Sequence, residues 1–262
     1  MYSLDVMSPT DTRSLTTNSK LTRGEHMKKI LLVHGWNHDN YTRSGCTDAW
    51  GNRSRFVEVL STYFDVVRFN LPGFCGEKEP ERPWFLSDFT QYLDQVIQKE
   101  KPDVVLGYSF GGAIILHWKV VSGNKTVKAF LVSPAIIRRY ENKSVSIGWL
   151  KAILPETLIT LARDFYLASV VRNPYYAKAS AVMRETYRNI VGLNLREDLL
   201  KMPDELVLIY GEKDSATPLE PVKDFLASRK NHHKLHVIEG GGHDIANTHT
   251  DELISVVINN LT

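Results

Sequence analysis

Residues 103–113 read D-V-V-L-G-Y-S-F-G-G-A. The apolar run Val104-Val105-Leu106 leads into Gly-Xaa-Ser-Xaa-Gly, and a second apolar run, Ala113-Ile114-Ile115-Leu116, follows. A serine between a buried strand and the start of a helix can be held on a sharp turn, with its hydroxyl at the end of the strand. Gly107, Gly111 and Gly112 suit that turn, because residues without Cβ atoms let strand and helix approach closely. The start of the helix also brings a positive dipole end to the same place. The chemistry on offer is nucleophilic attack by Ser109 on a carbonyl carbon. A plain glycine-rich bend gives the same five letters, so the reading depends on a base and an acid elsewhere in the chain.

A serine hydroxyl is a weak nucleophile unless a base takes its proton. Of nine histidines, His243 stands out, in E-G-G-G-H-D-I-A directly after the strand-like run Leu235–Ile238. His249 lies in a polar stretch that begins the last helical segment. His232, His233 and His236 cluster about a short strand and read as solvated, with metal binding as the alternative, and His117 sits on a helix beside Trp118. An imidazole base needs an acid to fix its tautomer. Asp214, in L-I-Y-G-E-K-D-S-A-T-P, follows the run Leu206–Tyr210, whereas the run ending at Val132 leads into Ser133-Pro134 with no carboxylate. As alternatives, Gly-Glu-Lys-Asp is also a common turn composition. The negative charge that builds on an attacked carbonyl oxygen needs donors. The Phe110 N–H, next after the nucleophile, and the Trp36 N–H, in V-H-G-W-N after the first strand, are the candidates. His34 and His38 have no further ligand cluster near them in sequence, so no metal site is expected.

These residues need a frame that gathers strand ends. Short apolar runs at Ile30–Val33, Val66–Phe69, Val104–Leu106, Val127–Val132, Leu206–Tyr210 and Leu235–Ile238 alternate with helical patterns near 53–63, 85–100, 110–121, 219–229 and 249–260. That alternation predicts an α/β fold: a mostly parallel sheet of about six strands flanked by helices on both faces. The interval 134–202 holds no clear strand and is rich in aromatics, among them Trp149, Phe165, Tyr166, Tyr175, Tyr176 and Tyr187. It reads as a helical cap inserted between the two parts of the core, 27–133 and 203–262, with ordinary packing helices as the alternative. Residues 1–26 show no periodicity and read as a disordered or non-native extension ahead of Met27.

Together L-L-V-H-G-W, F-N-L-P-G-F-C-G, V-V-L-G-Y-S-F-G-G-A, L-I-Y-G-E-K-D-S-A-T-P and E-G-G-G-H-D resemble, in order, the motifs of the α/β-hydrolase family. The likeness is to its cap-bearing esterase and meta-cleavage-product hydrolase branch, and it covers residues 28–262. The resemblance implies a Ser109–His243–Asp214 triad, a lid in the 134–202 interval and no cofactor. The family usually carries Asp where Asn70 stands and Gly where Cys75 stands. It also often begins with an extra antiparallel strand pair, which residues 1–26 do not resemble. The long polar loop from Asn37 to Asn52 is a candidate for the rim of a pocket.

The chain has 262 residues, 43% hydrophobic and 24% charged, with a formal net charge of +2. That balance suits a globular protein and excludes a polyelectrolyte binder of nucleic acid. No apolar stretch is long enough to span a bilayer. Cys46 and Cys75 have no metal-type spacing and read as free thiols in a reducing cytoplasm, with a single bridge as the alternative. Residues 135–200 hold ten Lys/Arg and six Asp/Glu. They form a basic roof that would steer anionic substrates, or a solvated helical surface. The expected activity is cleavage of a small ester or thioester by a carboxylesterase-type serine hydrolase acting on a small-molecule acyl substrate. A C–C bond hydrolase or an acyltransferase would use the same triad, and a catalytically silent receptor would use only the pocket.

Overall fold

A computed structural model describes residues 27–41, 45–137, 174–228 and 232–261. Its centre is a six-stranded sheet: β1 (Lys29–Val33), β2 (Asp65–Arg68), β3 (Val104–Tyr108), β4 (Lys128–Val132), β5 (Val207–Gly211) and β6 (Lys234–Ile238). The spatial order is β2-β1-β3-β4-β5-β6, and every pairing is parallel. The order runs outward in two directions from β1 and β3, so the C-terminal strand ends at the centre of the sheet face one crevice.

Side chains alternate between two cores, as a pleated sheet requires. Leu31, Val33, Val105, Ala129, Leu131, Leu208 and Tyr210 enter one cluster with Phe89, Leu93 and Ile97 of α2 (Leu86–Glu100) and Ala113, Ile114 and Leu116 of α3 (Phe110–Ser122). Ile30, Leu32, Val104, Leu106, Phe130, Val132, Val207 and Ile209 enter the other. There they meet Phe56, Val57 and Leu60 of α1 (Ser54–Leu60), and Leu253, Ile254 and Val257 of a helix over Thr250–Asn259. Central strands covered on both faces explain why β1, β3, β4 and β5 read as unbroken apolar runs. The expected six strands and two helical layers are present.

Within the 134–202 interval the described residues form three helices, Pro174–Ala177, Ala181–Val191 and Arg196–Lys201. Ser180 caps the second, its hydroxyl accepting from the Met183 N–H. Residues 1–26 and 138–173, including Trp149, Phe165, Tyr166, Arg138, Arg139 and Lys143, lie outside the described residues.

The cysteine expectation is corrected. Cys46 and Cys75 form a disulfide. Sequence spacing hides their nearness, because two loops meet from different strand ends. Tyr41 bridges Phe74, the Cys75 N–H donates to the Asn40 carbonyl at 2.7 Å, and Asn70 ties both loops together. The Asn70 amide donates to the carbonyls of Thr47 and Cys75, and its oxygen accepts from the Ala49 N–H. An aspartate could not make both donations, which gives the departure from the family pattern a local reason. Cys75 occupies a left-handed conformation, φ 43°, in keeping with the glycine usual there.

Candidate active site

Ser109 sits between β3 and α3 with φ 53° and ψ −114°, a conformation a non-glycine residue holds only under constraint. The constraint comes from both sides. The Ser109 N–H donates to the Val132 carbonyl, and its own carbonyl accepts from Gly112 and Ala135. The close approach needs Gly111, where an added Cβ would lie 2.1 Å from the Val33 carbonyl oxygen. The turn thus lifts Ser109 into a cavity of about 290 Å³ that His243, Thr217, Trp36 and Phe110 also line.

His243 follows the glycine-rich loop after β6, and Asp214 follows β5. Asp214 Oδ2 lies 2.8 Å from His243 Nδ1. Since a carboxylate only accepts, the Nδ1 proton stays on the imidazole and Nε2 is the atom left able to accept. The carboxylate is buried and fully engaged: Oδ1 accepts from the Ala216 and Thr217 N–H groups at 2.9 Å each, and Oδ2 also contacts the Thr217 hydroxyl at 2.8 Å. Burial alone would raise the proton affinity of Asp214. The bond and charge of His243, with the Thr217 donors, outweigh it and hold the carboxyl below its ordinary value. Among the described residues no hydrogen bond joins the Ser109 hydroxyl to His243; the two share the cavity.

Thr217 joins the Asp214–His243 pair and lines the cavity, a placement that sequence reasoning missed. Its hydroxyl reaches Asp214 Oδ2, the Ser133 carbonyl at 3.0 Å and His243 Nδ1 at 3.2 Å. The only signal in the sequence was its place three residues after Asp214.

The Trp36 and Phe110 N–H groups have no acceptor among the described residues, and both residues line the cavity. Phe110 opens α3, where the first N–H groups of a helix lack internal partners. The Trp36 ring is fixed by its Nε1–H donating to the Tyr41 hydroxyl at 2.8 Å and by edge contacts with Phe74 and Phe110. His34 anchors the same loop from behind. Its Nε2 accepts from the Leu71 N–H at 2.9 Å, which puts the proton on Nδ1, donating to the Gly35 carbonyl at 2.8 Å. Burial pushes this imidazole down to about 4.

Tyr175, Tyr187 and Ile190, from the helical interval, and Asn37, Asn40 and Ala49, from the disulfide-tied loop, complete the walls. That loop does form part of the rim, as its length and polarity suggested. The remaining histidines stand apart. His117 pairs with Asp198 at 2.7 Å, and His249 contacts Thr248. His233 and His236 are half-buried rather than solvated, hydrogen-bonded to the Leu199 carbonyl and to Asn260. Among the described residues no group of three or more His, Cys, Asp or Glu could hold a metal ion. No helix there is long and apolar enough to cross a membrane.

A family model described as the alpha/beta hydrolase family matches residues 30–256. The chain belongs to the alpha/beta hydrolase family. A Synechocystis sp. protein provisionally named a non-heme chloroperoxidase is 23% identical over 256 residues, covering 88% of this chain and 90% of its own. Among solved structures, a bromoperoxidase from Bacillus anthracis superposes with a TM-score of 0.62 at 18% identity, over 89% of this chain and 91% of that one. An esterase from Exiguobacterium antarcticum gives 0.61 at 19%, over 88% and 92%. A meta-cleavage product hydrolase from Pseudomonas fluorescens gives 0.60 at 19%, over 90% of each chain. At such identities the three structures share the fold with this chain, and their different names leave its substrate open.

Proposed function

We propose that this member of the family is a serine hydrolase that cleaves a small ester or thioester through an acyl-enzyme on Ser109. The observation that carries the reading is His243, paired with the buried Asp214 carboxylate and lining the same cavity as a serine held on a strained strand-to-helix turn. In this reading His243 Nε2 takes the Ser109 proton as Oγ attacks the carbonyl carbon, and the Trp36 and Phe110 N–H groups receive the oxyanion. The imidazolium then returns the proton to the leaving alcohol or thiol. Water, deprotonated by His243, attacks the acyl carbon and frees the carboxylic acid and the Ser109 hydroxyl. Each step conserves protons within the pair, and none calls on a cofactor.

The helices over 174–201 serve as part of a cap in this account, with Tyr175, Tyr187 and Ile190 over the reacting centre. A cavity of about 290 Å³, at the small end of ligand sites, supports a small acyl substrate. The disulfide between Cys46 and Cys75 favours an oxidising compartment over the cytoplasm that the composition suggested.

A panel of neutral p-nitrophenyl esters, acyl thioesters and vinylogous diketones tests the assignment. Hydrolysis of esters or thioesters that falls about 10⁴-fold in Asp214→Asn supports it, because an amide in that place favours the wrong imidazole tautomer. Turnover of the diketones alone would move the assignment to C–C bond hydrolysis.

A further inference from the structure

Along the cavity wall lies a second cluster of polar side chains that the proposed reaction does not use. Arg53 ends the 3-10 turn Gly51–Arg53 and lines the cavity wall. Its Nη2 pairs with Asp244 Oδ1 at 2.8 Å, and its guanidinium carbon stands 4.3 Å from the centroid of the Tyr108 ring. Tyr108 immediately precedes Ser109, and Asp244 immediately follows His243. The Tyr108 hydroxyl donates a hydrogen bond to the His243 carbonyl and lies 3.3 Å from Asp244 Oδ1. The other oxygen of Asp244 accepts from Asn247 Nδ2 at 2.8 Å.

We propose that Arg53 is a positioning residue that, through Asp244 and the Tyr108 hydroxyl, clamps the His243 loop to the turn that carries Ser109. The inference rests on the serine hydrolase reading. Glu239 and three glycines, 240–242, link β6 to His243; the loop after β5 ties this segment at Gly240 and Gly241, but Gly242, next to His243, has the conformational freedom of glycine. Asp214 fixes one ring nitrogen of the imidazole. It does not fix the backbone from which the ring projects, and the Tyr108 bond to the His243 carbonyl does. Arg53 holds that tyrosine from its ring face and holds the next residue by an ion pair, so one guanidinium joins the chain on both sides of the reacting pair. Arg53 is mostly buried, its side chain 14% exposed, against 44% for Asp244. The pair is therefore screened less than an open surface bridge. Burial pushes the Tyr108 phenol well above its ordinary range, so the hydroxyl remains a donor at any working pH.

The clamp also has an electrostatic side. The groups that face His243 are Asp214 and Thr217 from the loop after β5, Tyr108 from the serine turn, Asp244 from its own loop, Arg53 from the 3-10 turn, and the neutral His34 across the cavity. Arg53 is the one permanent cation among them. Its removal leaves the Asp244 carboxylate without its counter-ion, one residue from the imidazole, and favours the imidazolium.

The test uses the full chain and a neutral p-nitrophenyl ester, with Arg53→Met, Tyr108→Phe and the double variant Arg53→Met/Asp244→Asn. Fluorophosphonate labelling of the wild type at Ser109 comes first. If it fails, the serine hydrolase reading fails and this proposal falls with it. Given labelling, Arg53→Met should lower kcat by about 10- to 100-fold, the scale of one charge-assisted bond, with KM changed little. The acidic limb of its kcat/KM profile should move to higher pH. The double variant, which removes the stranded charge, should return that limb toward the wild-type position. Tyr108→Phe, which loses only the hydroxyl, should lower kcat without moving the limb, and it carries the test if Arg53→Met does not fold. Rates within threefold of wild type for both single variants would overturn the proposal. So would a fall in melting temperature with an unmoved acidic limb in Arg53→Met, since that is what a purely structural arginine would give.

Discussion

Replacement of Thr217 by valine keeps the shape of the side chain and removes its hydroxyl. In the folded protein that hydroxyl has one proton and two acceptors, Asp214 Oδ2 at 2.8 Å and the Ser133 carbonyl at 3.0 Å. Its oxygen also takes a share of the His243 Nδ1 proton at 3.2 Å. After the change Asp214 retains two backbone donors and the imidazole, so it stays ionised, but Oδ2 has one partner fewer just where the imidazolium forms. A hydrogen bond to a charged group contributes about 1.5–3 kcal/mol, which converts to roughly 10- to 100-fold in kcat. The Ser133 carbonyl, in a fully buried residue, loses the same partner, so stability should fall by about 1–3 kcal/mol. Steady-state ester hydrolysis and urea unfolding measure the two effects separately. Thr217→Ser, which restores the hydroxyl, should recover most of the rate. A kcat for Thr217→Val within twofold of wild type would refute the view that this hydroxyl tunes the acid–base pair.

Three further outcomes follow from the packing around the site. His34 is neutral when folded because burial pushes it down to about 4, while the unfolded chain takes up its proton near 6.5. The His34 contribution to stability is therefore full above pH 6.5 and declines by up to about 3 kcal/mol as pH falls toward 4, so urea midpoints of His34→Asn should fall less steeply over that range than those of the wild type, by about that amount. Gly111→Ala should lower stability by about 3 kcal/mol or more, seen as a lost or strongly shifted melting transition, because its Cβ would collide with the Val33 carbonyl at 2.1 Å. Reduction of the Cys46–Cys75 bridge, which closes a separation of 29 residues, should lower the urea-derived stability by about 3–4 kcal/mol.

The sheet was legible because its four inner strands are buried on both faces and so appear as short apolar runs. Val104–Leu106, for instance, lies within β3 at Val104–Tyr108. The meeting of Ser109, Asp214 and His243 was legible because the first two follow inner strands and His243 follows the run Leu235–Ile238 of the edge strand β6, and a parallel sheet brings the ends of its strands together. What the sequence concealed depends on loops meeting through space. Cys46 and Cys75 are joined by the packing of Tyr41 on Phe74 and by the Asn70 amide, none of which has a periodicity to read. Thr217 and Arg53 are ordinary residues in their local sequence. Their contacts with Asp214, His243 and Asp244 form only when the loop after β5 and the 3-10 turn before α1 meet the loop after β6. The half-burial of His233 likewise comes from the Arg196–Lys201 helix, whose Leu199 carbonyl it meets.

The central claim is that Ser109 is an activated nucleophile. Mass spectrometry of the intact protein after exposure to a fluorophosphonate measures this directly, with the labelled residue mapped by peptide fragmentation. The account predicts one adduct, on Ser109, formed rapidly in the wild type, nearly abolished in His243→Ala and absent in a folded Ser109→Ala. An unlabelled wild type, or an adduct that persists in Ser109→Ala, would contradict it.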